Sequence, residues 1–184
     1  MTNDELGQTL LKLARGAIAA QFGEVPRPET DVAELDLPGA CFVTLSEDGG
    51  LRGCIGTLEA WRPLGEDVCA NAVAAAFKDP RFPPLARDEL PRIGLEVSLL
   101  TPPQPLAFAS EDEALRQLRP GVDGVVFEWR GRRSTFLPQV WESLPDPRQF
   151  LAQLKLKAGL PPDFWNAEVR LSRYQVSKWK EERP

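Results

Sequence analysis

The stretch Ala40-Cys41-Phe42-Val43-Thr44-Leu45-Ser46-Glu47-Asp48-Gly49-Gly50-Leu51-Arg52-Gly53-Cys54-Ile55-Gly56 decides the fold. Two segments of apolar and β-branched residues flank Asp48-Gly49, a dipeptide suited to a tight hairpin turn. The reading is a β-hairpin of Ala40 to Ser46 and Leu51 to Leu58. A two-residue turn would set Val43 opposite Cys54 and Leu45 opposite Arg52, and would place Cys41, Arg52 and Cys54 on one sheet face. A change of one residue in the loop would reverse that assignment. Gly53 and Gly56 flank Cys54 inside the strand, where glycine packs nothing and costs backbone entropy. Their presence implies that another segment or a ligand approaches this backbone closely.

The surroundings of the hairpin read as alternating helices and strands. Upstream, Asn3 to Phe22 has an apolar face of Leu6, Leu10, Leu13, Ala14, Ala17 and Ile18, with Asn3 as cap and Gly23 as terminator. Residues 25–38 read as a loop. Downstream, Pro63 to Phe77 is helical, and Cys69 among its alanines reads as a small core hydrophobe. Asp79-Pro80-Arg81-Phe82-Pro83-Pro84 cannot continue a helix and forms a stiff loop. Arg92 to Leu100 alternates as a strand, ended by Pro102, Pro103 and Pro105.

In the second half, Ser110-Glu111-Asp112-Glu113 has the pattern of a capping box for a short helix to about Leu118. Val125 to Trp129 and Arg132 to Leu137 form a second hairpin about Arg130-Gly131, with Glu128 opposite Arg133. Asp146 caps a helix that Gly159 closes. Glu168 to Lys178 is a last strand whose alternation changes phase between Leu171 and Tyr174, which predicts a bulge. Trp129, Trp141, Trp165 and Trp179 read as packing residues. Helices interleaved with hairpins specify an α+β fold with a mostly antiparallel sheet. Residues 1–184 read as a single domain without a separable linker.

Composition narrows the function. The 184 residues are 42% hydrophobic and 27% charged with a net charge of -5, which is globular and lacks the basic footprint of a nucleic-acid binder. No apolar run approaches the roughly 20 residues that span a bilayer, and the N-terminus has no basic region before an apolar core. Three cysteines without CxxC spacing fit reduced thiols and a cytoplasmic protein. The chain has no histidine, which excludes Ser-His and Cys-His pairs and histidine-bound metals. Acid–base chemistry would fall to carboxylates, Lys, Tyr, Cys or water, and scattered cysteines without histidine predict no metal site.

Several stretches together resemble one family, the AMMECR domain. They are Leu51-Arg52-Gly53-Cys54-Ile55-Gly56, Ala76 to Leu85, Glu96-Val97-Ser98, Arg133 to Val140 and Lys157 to Pro162, in order along nearly the whole chain. The resemblance is greatest to the bacterial AmmeMemoRadiSam-type subgroup, whose genes neighbour those of a Memo-like protein and a radical SAM enzyme. It implies a compact α+β domain, residues 1–184, with a mostly antiparallel sheet flanked by helices and a smaller subdomain, these two proteins as partners, and no established activity or cofactor. Some archaeal relatives carry a cysteine where Lys155 stands here, so a metal or redox role for that cysteine does not carry over.

The candidate site centres on Cys54, as a nucleophilic thiolate or a thiol modified by a partner enzyme, with Arg52 as a cation that lowers its pKa. Arg52 and Arg81 are the candidate anion binders, because guanidinium presents a fixed fork to carboxylate or phosphate. Glu96 is the candidate general base. Gly53 and Gly56 would let a substrate approach, and Arg133 and Thr135 beside the second hairpin would line a cleft. Structural readings stand beside these: a buried strand cysteine, ion pairs of Arg81 with Asp79 or Glu96, and a solvated glutamate. Two function classes follow. One is an enzyme or enzyme component using a Cys/Arg cleft with the two partners, and the other is a non-catalytic adaptor or carrier that binds a protein.

Overall fold

A computed structural model describes residues 2–24 and 32–181 of the protein. Part of the expected loop, 25–31, therefore lies outside the described residues. The chain divides into two compact units, residues 1–100 with 177–184, and residues 101–176.

In the first unit, α1 (Asn3–Ala20) begins with a capping box. Thr2 Oγ1 accepts the Glu5 N–H and Glu5 Oε2 accepts the Thr2 N–H. The cap is thus Thr2, not Asn3, because only Thr2 has a glutamate three residues on. β1 (Ala40–Glu47) and β2 (Gly50–Gly56) form the hairpin. Asp48 and Gly49 both take positive φ (50° and 79°), as a two-residue I′ turn requires. The turn is as expected, but the register is not. Ser46 pairs with Leu51 whereas Leu45 pairs with Gly53, so Arg52 is the extra residue of a bulge. Cys54 therefore faces Thr44 rather than Val43, and Cys41 and Cys54 lie on opposite faces of the sheet.

α2 (Leu64–Phe77) packs on α1, β1 and β2, and its alanines permit a close approach. A Cβ on Gly53 would lie 2.2 Å from the Ala75 carbonyl oxygen, which is why this strand position has no side chain. β3 (Gly94–Leu100) pairs antiparallel with β1. Leu10, Leu13, Ile18, Cys41, Val43, Leu45, Val68 and Val97 fill the core between this sheet and the helices. Cys69 is only half-buried and packs against that core.

The second unit opens with a short strand, β4 (Gln104–Pro105), in the proline-rich stretch that predicted only a strand end. α3 (Glu111–Gln117) is capped by Ser110, whose hydroxyl accepts the Glu113 N–H. β5 (Gly124–Trp129) and β6 (Arg132–Phe136) form the second hairpin, with Glu128 opposite Arg133 as expected. α4 (Pro147–Lys157) starts at Asp146, whose carboxylate accepts the N–H groups of Arg148 and Gln149. Trp141 stacks on Phe150 at 3.7 Å in a core shared with Phe127, Leu151 and Leu154.

The final strand is a second correction. β7 (Arg170–Tyr174) pairs with β4 and β5, and β8 (Val176–Lys180) joins the other sheet beside β3. The expected bulge is an interruption between two strands, and the alternation changes phase because the chain changes sheets. The sheet orders are β2-β1-β3-β8 and β4-β7-β5-β6, so the fold is α+β with antiparallel pairing.

Candidate functional site

The bulge at Arg52 sets the geometry of the site. Beyond it, Cys54 on β2, Thr44 on β1 and Glu96 on β3 are successive cross-strand partners, so their side chains form one row on the face opposite the core. Thr44 Oγ1 donates to Cys54 Sγ at 3.2 Å. Glu96 is half-buried, with Lys178 Nζ at 3.7 Å and Lys180 Nζ at 3.1 Å, both from β8. Adjacent strands lie about 4.8 Å apart, so Glu96 stands roughly 10 Å from Cys54 with Thr44 between them. A direct proton transfer between the carboxylate and the thiol is thus out of reach.

β2 is a sheet edge, and its backbone groups at Cys54 are satisfied by the loop after α2. Asp79 Oδ2 accepts the Cys54 N–H at 2.9 Å, and Arg81 Nη2 donates to the Cys54 carbonyl at 3.4 Å. Asp79 in turn holds Arg81 through Nε at 3.0 Å and Nη2 at 2.7 Å. The Arg81 guanidinium, and after it the Cys54 N–H, hold the buried Asp79 carboxyl far below the usual range. Arg81 remains 54% exposed, so its cation is presented to solvent beside Cys54. The stiff Asp79–Pro84 loop therefore does for this edge what a neighbouring strand would do.

Arg52 does not take part in the row. It is buried, donating from Nε at 2.7 Å and Nη2 at 3.1 Å to Glu89, and from Nη2 to the Pro83 carbonyl at 3.0 Å. Hydrogen bonding to Arg52 lowers the pKa of Glu89. The Phe82 ring lies beside both Arg52 and Arg81, its centroid 5.9 Å and 5.5 Å from the two guanidinium carbons. Gly56 sits beneath the Phe42 ring, where a Cβ would come within 2.2 Å of the ring, so its missing side chain serves packing.

Arg133 and Thr135 belong to the second unit. Arg133 pairs with Glu128 at 3.5 Å, and the Thr135 hydroxyl bonds the Val125 carbonyl and lies 3.0 Å from the Tyr174 hydroxyl. Lys155, also in this unit, is buried with Nζ donating to Glu111 and lying 5.5 Å from the Trp165 ring centroid.

Sequence reasoning did not single out Thr44, since its place beside Cys54 depends on the bulge. It also missed the buried cluster at Cys41. There Asp67 Oδ2 accepts from the Cys41 N–H at 2.9 Å and from Asn71 Nδ2 at 3.0 Å, and Oδ1 accepts from Arg62 Nε at 2.7 Å. Burial, and after it the Asp67 charge, pushes the Cys41 thiol far above its usual range, so it is a structural thiol. Among the described residues, no group of three or more Cys, Asp or Glu is gathered that could hold a metal ion. Nor is any described helix long and apolar enough to cross a membrane.

Three comparisons place this arrangement among known proteins. The AMMECR1 family model matches residues 11–179. A protein of Methanothermobacter thermautotrophicus is 40% identical over 195 residues, covering 99% of this chain and 97% of its own. Protein MJ0810 of Methanocaldococcus jannaschii is 43% identical over 152 residues, covering 78% of this chain and 74% of its own. The crystal structure of the uncharacterised protein PH0010 from Pyrococcus horikoshii superposes with a TM-score of 0.84 at 35% identity, over 98% of this chain and 93% of that one.

Proposed function

The chain belongs to the AMMECR1 family, and from that premise we propose that it is an enzyme or enzyme component whose reacting group is the Cys54 thiol. The observation that carries this reading is the hydrogen bond from Thr44 Oγ1 to Cys54 Sγ, at a half-buried position beside the exposed Arg81 cation. The Thr44 hydroxyl fixes the direction of the sulfur, and the exposed Arg81 guanidinium beside it offers a fork to an anionic group of a substrate. Arg81 would bind an anionic group of the substrate beside the sulfur. Glu96, too far for direct contact with Cys54, would act on a substrate lying along the row. The reading differs from a Cys/Arg pair with Arg52, because Arg52 is buried on Glu89 and the Pro83 carbonyl, whereas Arg81, although paired with Asp79, stays exposed beside Cys54.

By resemblance to the subgroup called AmmeMemoRadiSam system protein A, the chain would act with a Memo-like protein and a radical SAM enzyme in the cytoplasm. The test is alkylation by iodoacetamide across pH, followed by mass spectrometry. Cys54 should react fastest of the three cysteines, Thr44→Val should slow it several-fold, and Cys54→Ser should abolish that label. A folded protein in which Cys54 is inert would sink the proposal.

A second reading, a non-catalytic adaptor, is favoured by one observation. The isolated bridge between Pro38 and Pro63 brings together two segments that carry the exposed side chains Leu37 and Trp61, the latter 68% exposed. Capture of a purified Memo-like protein that survives Cys54→Ala and is lost in Trp61→Ala would select the adaptor.

A further inference from the structure

The second unit holds a polar cavity of about 290 Å³ lined by Thr101, Gln104, Arg119, Arg173, Tyr174 and Gln175. Two of these lining residues, Arg119 and Arg173, approach the fully buried Asp123, whose carboxylate accepts from the Arg119 backbone N–H at 2.9 Å and from Arg119 Nη2 at 2.7 Å. Arg173 Nη1 is 4.0 Å from the same carboxylate and donates to the Gln117 carbonyl at 3.2 Å, at the end of α3. Two guanidinium groups thus face one carboxylate, which leaves a surplus positive charge. Among the described residues, no acceptor engages Nε or Nη2 of Arg173. Gln104 is the direct cross-strand partner of Arg173, so an uncharged amide rather than a carboxylate stands beside these donors. The Thr101 hydroxyl accepts the Gln175 N–H at 2.8 Å, which leaves its own proton available.

We infer that this cavity binds a small molecule through one carboxylate or phosphate group, seated on Arg173 with Gln104 and Thr101 completing its hydrogen bonds. A guanidinium edge matches either oxyanion in a bidentate manner. The volume lies at the lower limit of small-molecule pockets, room for roughly ten waters, and so for an anionic group with a short carbon chain rather than a nucleotide. Asp123 has a separate role: it orients Arg119 and holds the local charge at one surplus cation instead of two. The site is independent of Cys54.

The test is calorimetric titration of the full chain with inorganic phosphate and, separately, with succinate at low salt. At least one probe should bind saturably, and the stronger of the two identifies the oxyanion class. Added sodium chloride should weaken binding. Arg173→Gln should weaken it by about tenfold or more, as expected for a lost charge-assisted pair. Gln104→Glu should do the same while leaving every contact of Asp123 in place, so it decides the matter if Arg173→Gln does not fold. Saturation by neither probe, or wild-type affinity in Gln104→Glu, would overturn the inference.

Discussion

Asp79 and Cys54 are joined by a 2.9 Å hydrogen bond from the backbone N–H of the cysteine to a carboxylate held by Arg81. An acidic side chain thus closes the sheet edge at the position of the candidate nucleophile. Because the folded Asp79 pKa is depressed, its contribution to stability is present above the ordinary carboxyl value of 3.8 and is lost as pH falls below it. Asp79→Asn should lower the melting temperature at pH 7 by about 5 °C or more. The difference between variant and wild type should shrink as pH drops below 3.8. Thermal melts at pH 7, 4 and 3 check this, and a difference independent of pH would contradict it.

Cys41 predicts the opposite limb. Its folded pKa is raised above 9.0, so the stability it contributes is complete below that pH and declines as pH rises through the range where only the unfolded thiol ionises. The slope is at most about 1.4 kcal/mol per pH unit. Urea unfolding between pH 8 and pH 10 should show a steeper decline for wild type than for Cys41→Ala. The variant keeps the backbone N–H bond to Asp67, and parallel declines would refute the assignment.

The elements of this fold were legible where local chemistry is self-sufficient. The Asp48-Gly49 turn, the Asp146 cap and the alternation of β3 each follow from residues within a few positions of one another. What sequence could not supply was the register after the turn. The bulge at Arg52 is dictated by Glu89 and by the Ala75 backbone, tens of residues away, and it moves Cys54 from opposite Val43 to opposite Thr44. Similarly, the phase change near Tyr174 was visible, but the sheet that each half joins is a tertiary choice. The candidate site inherits both limits. Cys54, Arg81 and Glu96 could be named from sequence, whereas the exclusion of Arg52 and the inclusion of Thr44 required the three-dimensional pairing.

Gly53 and Gly49 separate two uses of glycine in one hairpin. Gly49 has φ +79° and no atom within 4 Å of the place a methyl group would occupy, so Gly49→Ala meets only backbone strain, about 1 kcal/mol. Gly53→Ala drives a methyl group to 2.2 Å from the Ala75 carbonyl oxygen and must push β2 away from α2, a cost of about 2–4 kcal/mol. Because that shift carries Cys54 with it, the Thr44 hydrogen bond and the alkylation rate should change in Gly53→Ala and not in Gly49→Ala. Equal stability of the two variants in urea would remove the close-approach explanation.

Arg52 gives the sharpest division between a structural and a chemical role. Its Nε and Nη2 form a fork on Glu89, and Nη2 also reaches the Pro83 carbonyl, so the side chain ties β2 to the segment after the stiff loop. Lysine has one point charge and cannot make the fork. Arg52→Lys should therefore destabilise the protein by about 3 kcal/mol, because it leaves a largely buried Glu89 without its geometry. Glu89→Gln should cost a similar amount, and the double variant should cost much less than the sum. The alkylation rate of Cys54 in folded Arg52→Lys should stay within about twofold of wild type, since Arg52 is buried on Glu89 and the Pro83 carbonyl and takes no part in the row that holds Cys54. A stable Arg52→Lys protein with a slowed Cys54 would reverse the roles assigned to Arg52 and Arg81.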